Sequence, residues 1–288
     1  MMAKLLTYRF GLRHPADAQS LAFLAVQTVV ICLLLTGVSR SFWLWYAAAW
    51  LAVCAANVKH NHMHRRTFRW AWANLLLDHW LGLLTGTTST SILTEHNLRH
   101  HGHSNSEEDF VRASLVGFRS QWLNVICFFP RAWGELYFRK PLDFKTWWRT
   151  NRLLFWRALA EQATLWGVLI VLLAWDWRAT LLYVVIPWLH GQWWLITFNL
   201  LQHQELAPDD PWQNSRNIVG RWFNFFFFNV GYHTAHHLRP TLHWSELPQF
   251  HVRQIASRID PRLVSPSLWI FYRDWFTRRS WPENVPTL

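Results

Sequence analysis

Four long stretches almost free of charge constrain this chain more than any other feature. Leu21–Val38 and Ser41–Val58 each run 18 residues without a charged side chain, with only Ser39 and Arg40 between them. Ala158–Trp175 is apolar apart from Glu161 and Gln162, and Ala179–Gln202 is 24 uncharged residues that include His190. A helix rises ~1.5 Å per residue, so ~18–20 such residues cross a ~30 Å hydrocarbon core. The short charged breaks, Arg40 in one pair and Asp176-Trp177-Arg178 in the other, predict two helical hairpins. The expected fold is an all-α integral membrane protein. Four transmembrane helices (about 21–38, 41–58, 158–175 and 179–202) form a single domain over residues 1–288, with a cytoplasmic helical cap from 59–157 and 203–288.

The charges fall where such a topology wants them. Lys and Arg number 28 against 17 Asp and Glu, and all but Arg40 and Arg178 lie outside the two short turns. The positive-inside bias then puts both termini and the cap in the cytoplasm, with a bacterial inner membrane the expected location. Lys4, Arg9 and Arg13 precede the first apolar run, and no small-residue cleavage site follows it, so that run is expected to be retained. No Lys/Arg-dense stripe favours nucleic acid as a partner. The 23 Trp and 20 Phe exclude disorder, and three Cys exclude a disulfide scaffold. Trp70–Thr94 carries only Asp78 as a charge, yet a single crossing there would separate the histidines on its two sides. It is expected to be interfacial or re-entrant. Trp222–Val230 is too short to span.

The histidines are grouped. His60-Asn61-His62-Met63-His64 follows the second apolar run. If that helix continues, His60 and His64 are i,i+4 neighbours on one face. The second group is Glu95-His96-Asn97-Leu98-Arg99-His100-His101-Gly102-His103, and the third is His233-Thr234-Ala235-His236-His237, with imidazoles at i, i+3 and i+4. An isolated His is more often a core or capping residue than a ligand, but three such clusters on one predicted side of the membrane read as a metal site. No Cys lies near them, which argues against thiolate zinc and iron–sulfur sites, and no H-E-x-x-H is present. Imidazole suits Zn, Cu, Fe and Ni. The clusters hold more ligands than one four-coordinate ion takes, so two metals are implied.

The pattern H-x-x-x-H, H-x-x-x-H-H, H-x-x-H-H, with paired spans before the first and third boxes, resembles the membrane fatty acid desaturase/hydroxylase superfamily from about Val58 to His251. The stretch N-V-G-Y-H-T-A-H-H-L-R-P-T-L-H-W-S-E-L-P is similar to bacterial acyl-lipid desaturases. The resemblance implies a di-iron centre, dioxygen as co-substrate, a fatty acyl substrate on a lipid, CoA or carrier-protein thioester, and an external electron donor such as a ferredoxin or cytochrome. Carried over position by position, the metal ligands are His60, His64, His96, His100, His101, His203, His233, His236 and His237. Asn199, in the run N-L-L-Q-H, is the water-holding candidate, and Asp109 and Glu95 are candidates to orient ligating imidazoles. His62 and His103 are extra members of two boxes, and Asn61 stands where many relatives carry Asp. No H-P-G-G haem motif is fused to the chain.

The expected activity is introduction of a carbon–carbon double bond into an acyl chain. Hydroxylation, acetylene formation or oxidative decarboxylation to a terminal alkene would use the same metal site, and nothing in the boxes separates these outcomes. A membrane metal carrier is the reading from another class. It is disfavoured because the spans offer no polar pathway beyond His190. His14, His243 and His251 read as surface or capping residues, His190 as a packing or hydrogen-bonding residue, and Asp78 and His79 as structural.

Overall fold

A computed structural model describes residues 10–93, 100, 106–139, 144–206 and 209–279. Its main helices, in chain order, are α1 (Asp17–Leu35), α2 (Phe42–His64), α3 (Ala71–Thr85), α4 (Gln121–Gly134), α5 (Arg152–Thr180), α6 (Ile186–His203), α7 (Arg221–Phe226), α8 (His233–Leu238) and α9 (Leu268–Phe276). One parallel strand pair, β1 (Asn217–Ile218) with β2 (Val264–Ser265), accompanies them. The chain divides into two compact units, residues 1–94 with 142–195, and residues 95–141 with 196–288.

In the first unit, helix ends fall where side chains supply them. The Ser41 hydroxyl accepts from the Leu44 N–H at 3.1 Å and starts α2, as Asn151 Oδ1 does for α5 through Leu154 at 3.0 Å. α3 stops at Gly86, whose φ of +70° is the left-handed conformation that glycine tolerates best. With 15 residues, α3 is shorter than a membrane crossing requires. α2 runs without a break to His64, so the first histidine box lies on helical backbone.

Among the described residues, two stretches are long and apolar enough to cross a membrane, Asp17–Leu35 and the 52 residues Arg152–His203. The second is not one straight rod. Asp176 leaves helical geometry at φ −149° and ψ 94°. The Thr180 hydroxyl donates to the Leu172 carbonyl at 2.8 Å, although eight residues of straight helix would hold them ~12 Å apart. The chain therefore reverses here, and the Asp176 carboxylate caps the new turn through the Ala179 N–H at 3.0 Å. Arg40, between α1 and α2, reaches Asp176 at 3.9 Å, so the two breaks lie at the same end of this unit. α2, with its Trp, Asn and His content, does not reach the apolarity of a candidate span.

The first unit also buries charge. Asp78, on α3 and 1% exposed, is held by Arg66 Nη1 at 2.8 Å and Arg157 Nη2 at 2.6 Å. Arg157 also binds Glu161 at 3.0 Å, and Glu161 accepts from the Thr90 N–H at 2.8 Å. Lys59 Nζ donates to the hydroxyls of Thr85 and Thr87 and to the Thr87 carbonyl, tying α2 to the end of α3. A buried charge is tolerated only when paired and hydrogen-bonded in this way. His190 meets its polar need locally, through the Ala49 carbonyl at 3.0 Å from its Nδ1.

Candidate metal centre

The second unit gathers imidazoles from three separate stretches of chain. His203 is the last residue of α6. Arg216, 1% exposed, closes that helix end by donating to the carbonyls of Leu201 at 3.2 Å and Gln204 at 2.7 Å. A cation at a helix C-terminus satisfies carbonyls that have no partner in the helix itself. α8 is short, and its first turn is fixed from β1. Asn217 Oδ1 accepts from the Thr234 N–H at 3.1 Å, its amide donates to Thr234 Oγ1 at 2.8 Å, and Ser215 joins Thr234 at 2.8 Å. Just upstream the Ile218 N–H donates to the Gly231 carbonyl at 2.8 Å, an approach so close that a Cβ on Gly231 would run into the Ile218 carbonyl oxygen.

On this frame His100, His203, His233 and His237 each turn one ring nitrogen inward, all four within 4.8 Å of one another. The Nε2 atoms of His203 and His233 are 2.8 Å apart, and those of His237 and His233 are 3.1 Å apart. Two imidazole nitrogens ~2.1 Å from a common ion at near-tetrahedral or octahedral angles stand ~3.0–3.4 Å apart, so the spacing suits a shared cation.

The second ring nitrogens of two of these histidines show how the inward ones could serve as ligands. His203 Nδ1 donates to the Asn214 carbonyl at 2.9 Å, and His100 Nδ1 donates to Asp109 Oδ2 at 2.8 Å. A proton committed to Nδ1 leaves the lone pair on Nε2, the state a metal requires. Burial, reinforced by the charge His100 would carry, pushes His203 down to about 3, so it is neutral near pH 7. Asp109 is itself fixed, its Oδ1 accepting from the Val111 N–H at 3.0 Å, while the Asn199 amide donates to the Val111 carbonyl at 2.8 Å. Asn199, Val111, Asp109 and His100 thus form one connected run. His236 is buried on α8 with its ring 5.9 Å from that of His233.

In the first unit His60 and His64 lie on one face of α2, ring centroids 4.8 Å apart, and His60 Nδ1 is 3.4 Å from Asn61 Oδ1. His62 faces elsewhere. Its Nδ1 meets the Thr67 N–H at 3.2 Å and the Thr67 hydroxyl at 2.9 Å, and its Nε2 lies 2.9 Å from Arg66 Nη1 and 3.4 Å from Asp78. Both nitrogens are engaged in the buried charge network, so His62 is not available as a ligand. His96, His101, Glu95 and His103 lie outside the described residues.

Sequence reasoning did not pick out Arg216, Asn217 or Asn214. Each acts on the centre through a backbone group or a helix end, and no local spacing signals that. Asp78 was visible only as a charge in an apolar run. His14 and His243 do act as caps, accepting from the N–H groups of Ala16 and Ser245 at 3.2 Å in each case.

Four converging imidazoles, three of them buried and two with tautomers fixed by their surroundings, could hold a metal ion and fit a histidine box. The family model for fatty acid desaturases matches residues 23–266, and the chain belongs to that family. No curated protein matches it.

Proposed function

We propose that the chain is a membrane-bound di-iron enzyme that introduces a double bond into a fatty acyl chain. The observation that carries this reading is the inward convergence of His100, His203, His233 and His237 in a chain that the desaturase family model covers over most of its length. These four are proposed to hold one iron. The resemblance of the boxes assigns His60, His64, His96, His101 and His236 to the same di-iron ligand set. When bound, the irons supply reductive activation of dioxygen, with electrons from an external donor, for removal of hydrogen from the acyl chain.

The protein's own part is to hold and to orient. Asp109 and the Asn214 carbonyl keep protons on the outer nitrogens of His100 and His203, so the inner ones remain donors to metal. Asn199, anchored on Val111, is proposed to present its amide oxygen to a water. Phe198, which precedes Asn199 in the chain, packs on Phe223 and Phe271 with ring centroids 5.6 and 5.4 Å apart. Support for membrane embedding comes from the outward apolar side chains of α1 and α5, among them Val29 at 57% and Val171 at 66% exposed. It comes also from the adjacency of the two hairpin turns. Four spans with the termini and metal centre in the cytoplasm follow as part of the proposal.

The test is gas chromatography–mass spectrometry of fatty acids and headspace volatiles from a host that expresses the chain and an electron donor, beside His237→Ala. New unsaturated chains that vanish in the variant are expected. Hydroxylated chains or terminal alkenes would keep the metal centre and replace the reaction. Products unchanged in the variant would overturn the ligand assignment.

A further inference from the structure

Three helices of the second unit, α4, α7 and α9, each bury one side and leave large apolar side chains on the other. On α4 Gln121, Asn124 and Phe128 are buried, while Trp122 and Ile126, four residues apart, are 66% and 62% exposed. α7 buries Phe223 and Asn224 and exposes Trp222 at 69%. α9 buries Phe271 and Trp275 and exposes Trp269 at 79%. A single exposed apolar residue is ordinary, but an indole on each of three neighbouring helices is a surface with a use.

Direct contacts make the three helices neighbours. Phe223 of α7 and Phe271 of α9 both pack on Phe198. The starts of α7 and α9 are joined through the strand pair, where the Val219 N–H donates to the Ser265 carbonyl at 2.9 Å, and a Cβ on Gly220 would run into the Pro266 carbonyl. At the other end of α9, Phe276 meets Trp122 with ring centroids 4.4 Å apart, and Arg278 donates to the Arg119 carbonyl at 3.4 Å. Trp269 and Phe276, seven residues apart, share one face of α9. The exposed indoles therefore run from Trp222 past Trp269 to Trp122 over connected helices.

Charge on this surface has one sign in excess. The three helices carry Arg131, Arg221 and Arg273 against a single carboxylate, Asp274, which Arg273 holds at 2.7 Å. Exposed Arg119 precedes α4 and exposed Arg279 follows α9, and Glu135 is the one acid beside any of these helix ends. The Arg221 guanidinium lies over the Trp222 ring at 5.4 Å, a cation set directly on the apolar face. Indoles bordered by guanidinium groups suit the membrane–water interface, with the ring at head-group depth and the cation beside lipid phosphate. An acidic protein surface would match the arginines and leave the Trp and Ile area without an apolar partner.

We propose that this face of the second unit lies on a lipid surface, its indoles at head-group depth and its arginines on lipid phosphates. The inference rests on the membrane reading for the presence of a bilayer, while the face itself includes no part of the four proposed spans.

The experiment uses the full-length protein with Cys32, Cys54 and Cys127 replaced, in nanodiscs of phosphatidylcholine and phosphatidylglycerol. A single cysteine carries a nitrobenzoxadiazole label in Trp222→Cys, Trp269→Cys or Ile126→Cys. Val29→Cys reports on α1, and Ser257→Cys on an exposed segment of the second unit outside the three helices. A lipid with a nitroxide near its glycerol, included in the nanodisc, is expected to quench the three face labels about as far as Val29→Cys and to leave Ser257→Cys unchanged. If one face variant loses its thermal unfolding transition, the other two decide. Face labels left bright while Val29→Cys is quenched would overturn the proposal and leave the membrane reading standing. Quenched face labels with a bright Val29→Cys would keep the face and remove the span, and bright labels at every position would remove both. Equal quenching at Ser257→Cys would also overturn the proposal, because the face would then have no preference for lipid. Face labels shielded from aqueous iodide but untouched by the nitroxide lipid would mean that protein covers the face, a second copy or an acidic partner, and would overturn it too.

Discussion

At the scale of single residues, the proposed metal centre depends on groups outside its set of ligands. Asp109 holds His100 through one oxygen and the Val111 N–H through the other. Asp109→Asn removes the charge that favours a proton on His100 Nδ1. Loss of such a partner typically costs 10–100-fold in metal affinity, so iron retained against a competing chelator should fall by about that factor while the fold persists. Asp78 plays the opposite part, serving stability and not ligation. Burial alone would raise its carboxyl, but the hydrogen bond from His62 and the charges of Arg66 and Arg157 hold it down to about 2, against 3.8 ordinarily. A depressed carboxyl adds stability that is fully present above its unfolded value and is lost as pH falls through its folded value. The wild type should therefore lose stability between about pH 4 and pH 2. Asp78→Asn should be destabilised by about 3 kcal/mol at neutral pH, because Arg66 and Arg157 lose their common anion, and its stability should vary less over that acid range. Thermal unfolding by circular dichroism across a pH series checks both statements.

At the scale of elements, α8 carries three box histidines in only six residues, too short a helix to be stable alone. Its position is imposed by the neighbouring strand. Gly231→Ala would drive a methyl group into the Ile218 carbonyl and the Asn224 side chain, so α8 must shift. A loss of roughly 1–3 kcal/mol is expected, together with lowered iron content although no ligand has changed. Gly134→Ala is the contrast, since a Cβ there meets nothing within 4 Å, and it should leave both readouts near the wild type. The pair also shows what was legible in the sequence. Imidazole spacing inside α2 and α8 could be read because i,i+4 neighbours are set by local backbone alone. The chain reversal at Asp176 could be read because charge interrupts two apolar runs. The docking of Gly231 on Ile218, the Asn214 carbonyl under His203 and the Arg216 cap could not, since each joins residues 11 to 15 positions apart through main-chain atoms. Asp78 was legible as a lone charge but not as the meeting point of Arg66 and Arg157, the latter 79 residues away.

At the scale of the whole molecule, the distribution of charge and the adjacency of the two turns bear on one question, which side of a bilayer each segment occupies. The turns carry Arg40 and Arg178, while the other Lys and Arg lie beyond them, and Arg40 meets Asp176 at 3.9 Å. Two breaks that touch cannot lie on opposite sides of a membrane. Under the proposed four-span topology, the bias of the remaining positive charge predicts that they face the non-cytoplasmic side. In a background where Cys32, Cys54 and Cys127 are replaced, single cysteines at Val38 and Trp177 report on the turns, and one at Thr146 reports on the basic segment before α5. A membrane-impermeant maleimide applied to sealed right-side-out vesicles should label the two turn positions and spare Thr146, and inverted vesicles should give the reverse. Labelling of all three in the same vesicles would remove the hairpins. Labelling of Val38 and Trp177 in opposite preparations would contradict the contact between Arg40 and Asp176 itself, and with it the arrangement of α1, α2, α5 and α6 from which four spans are inferred.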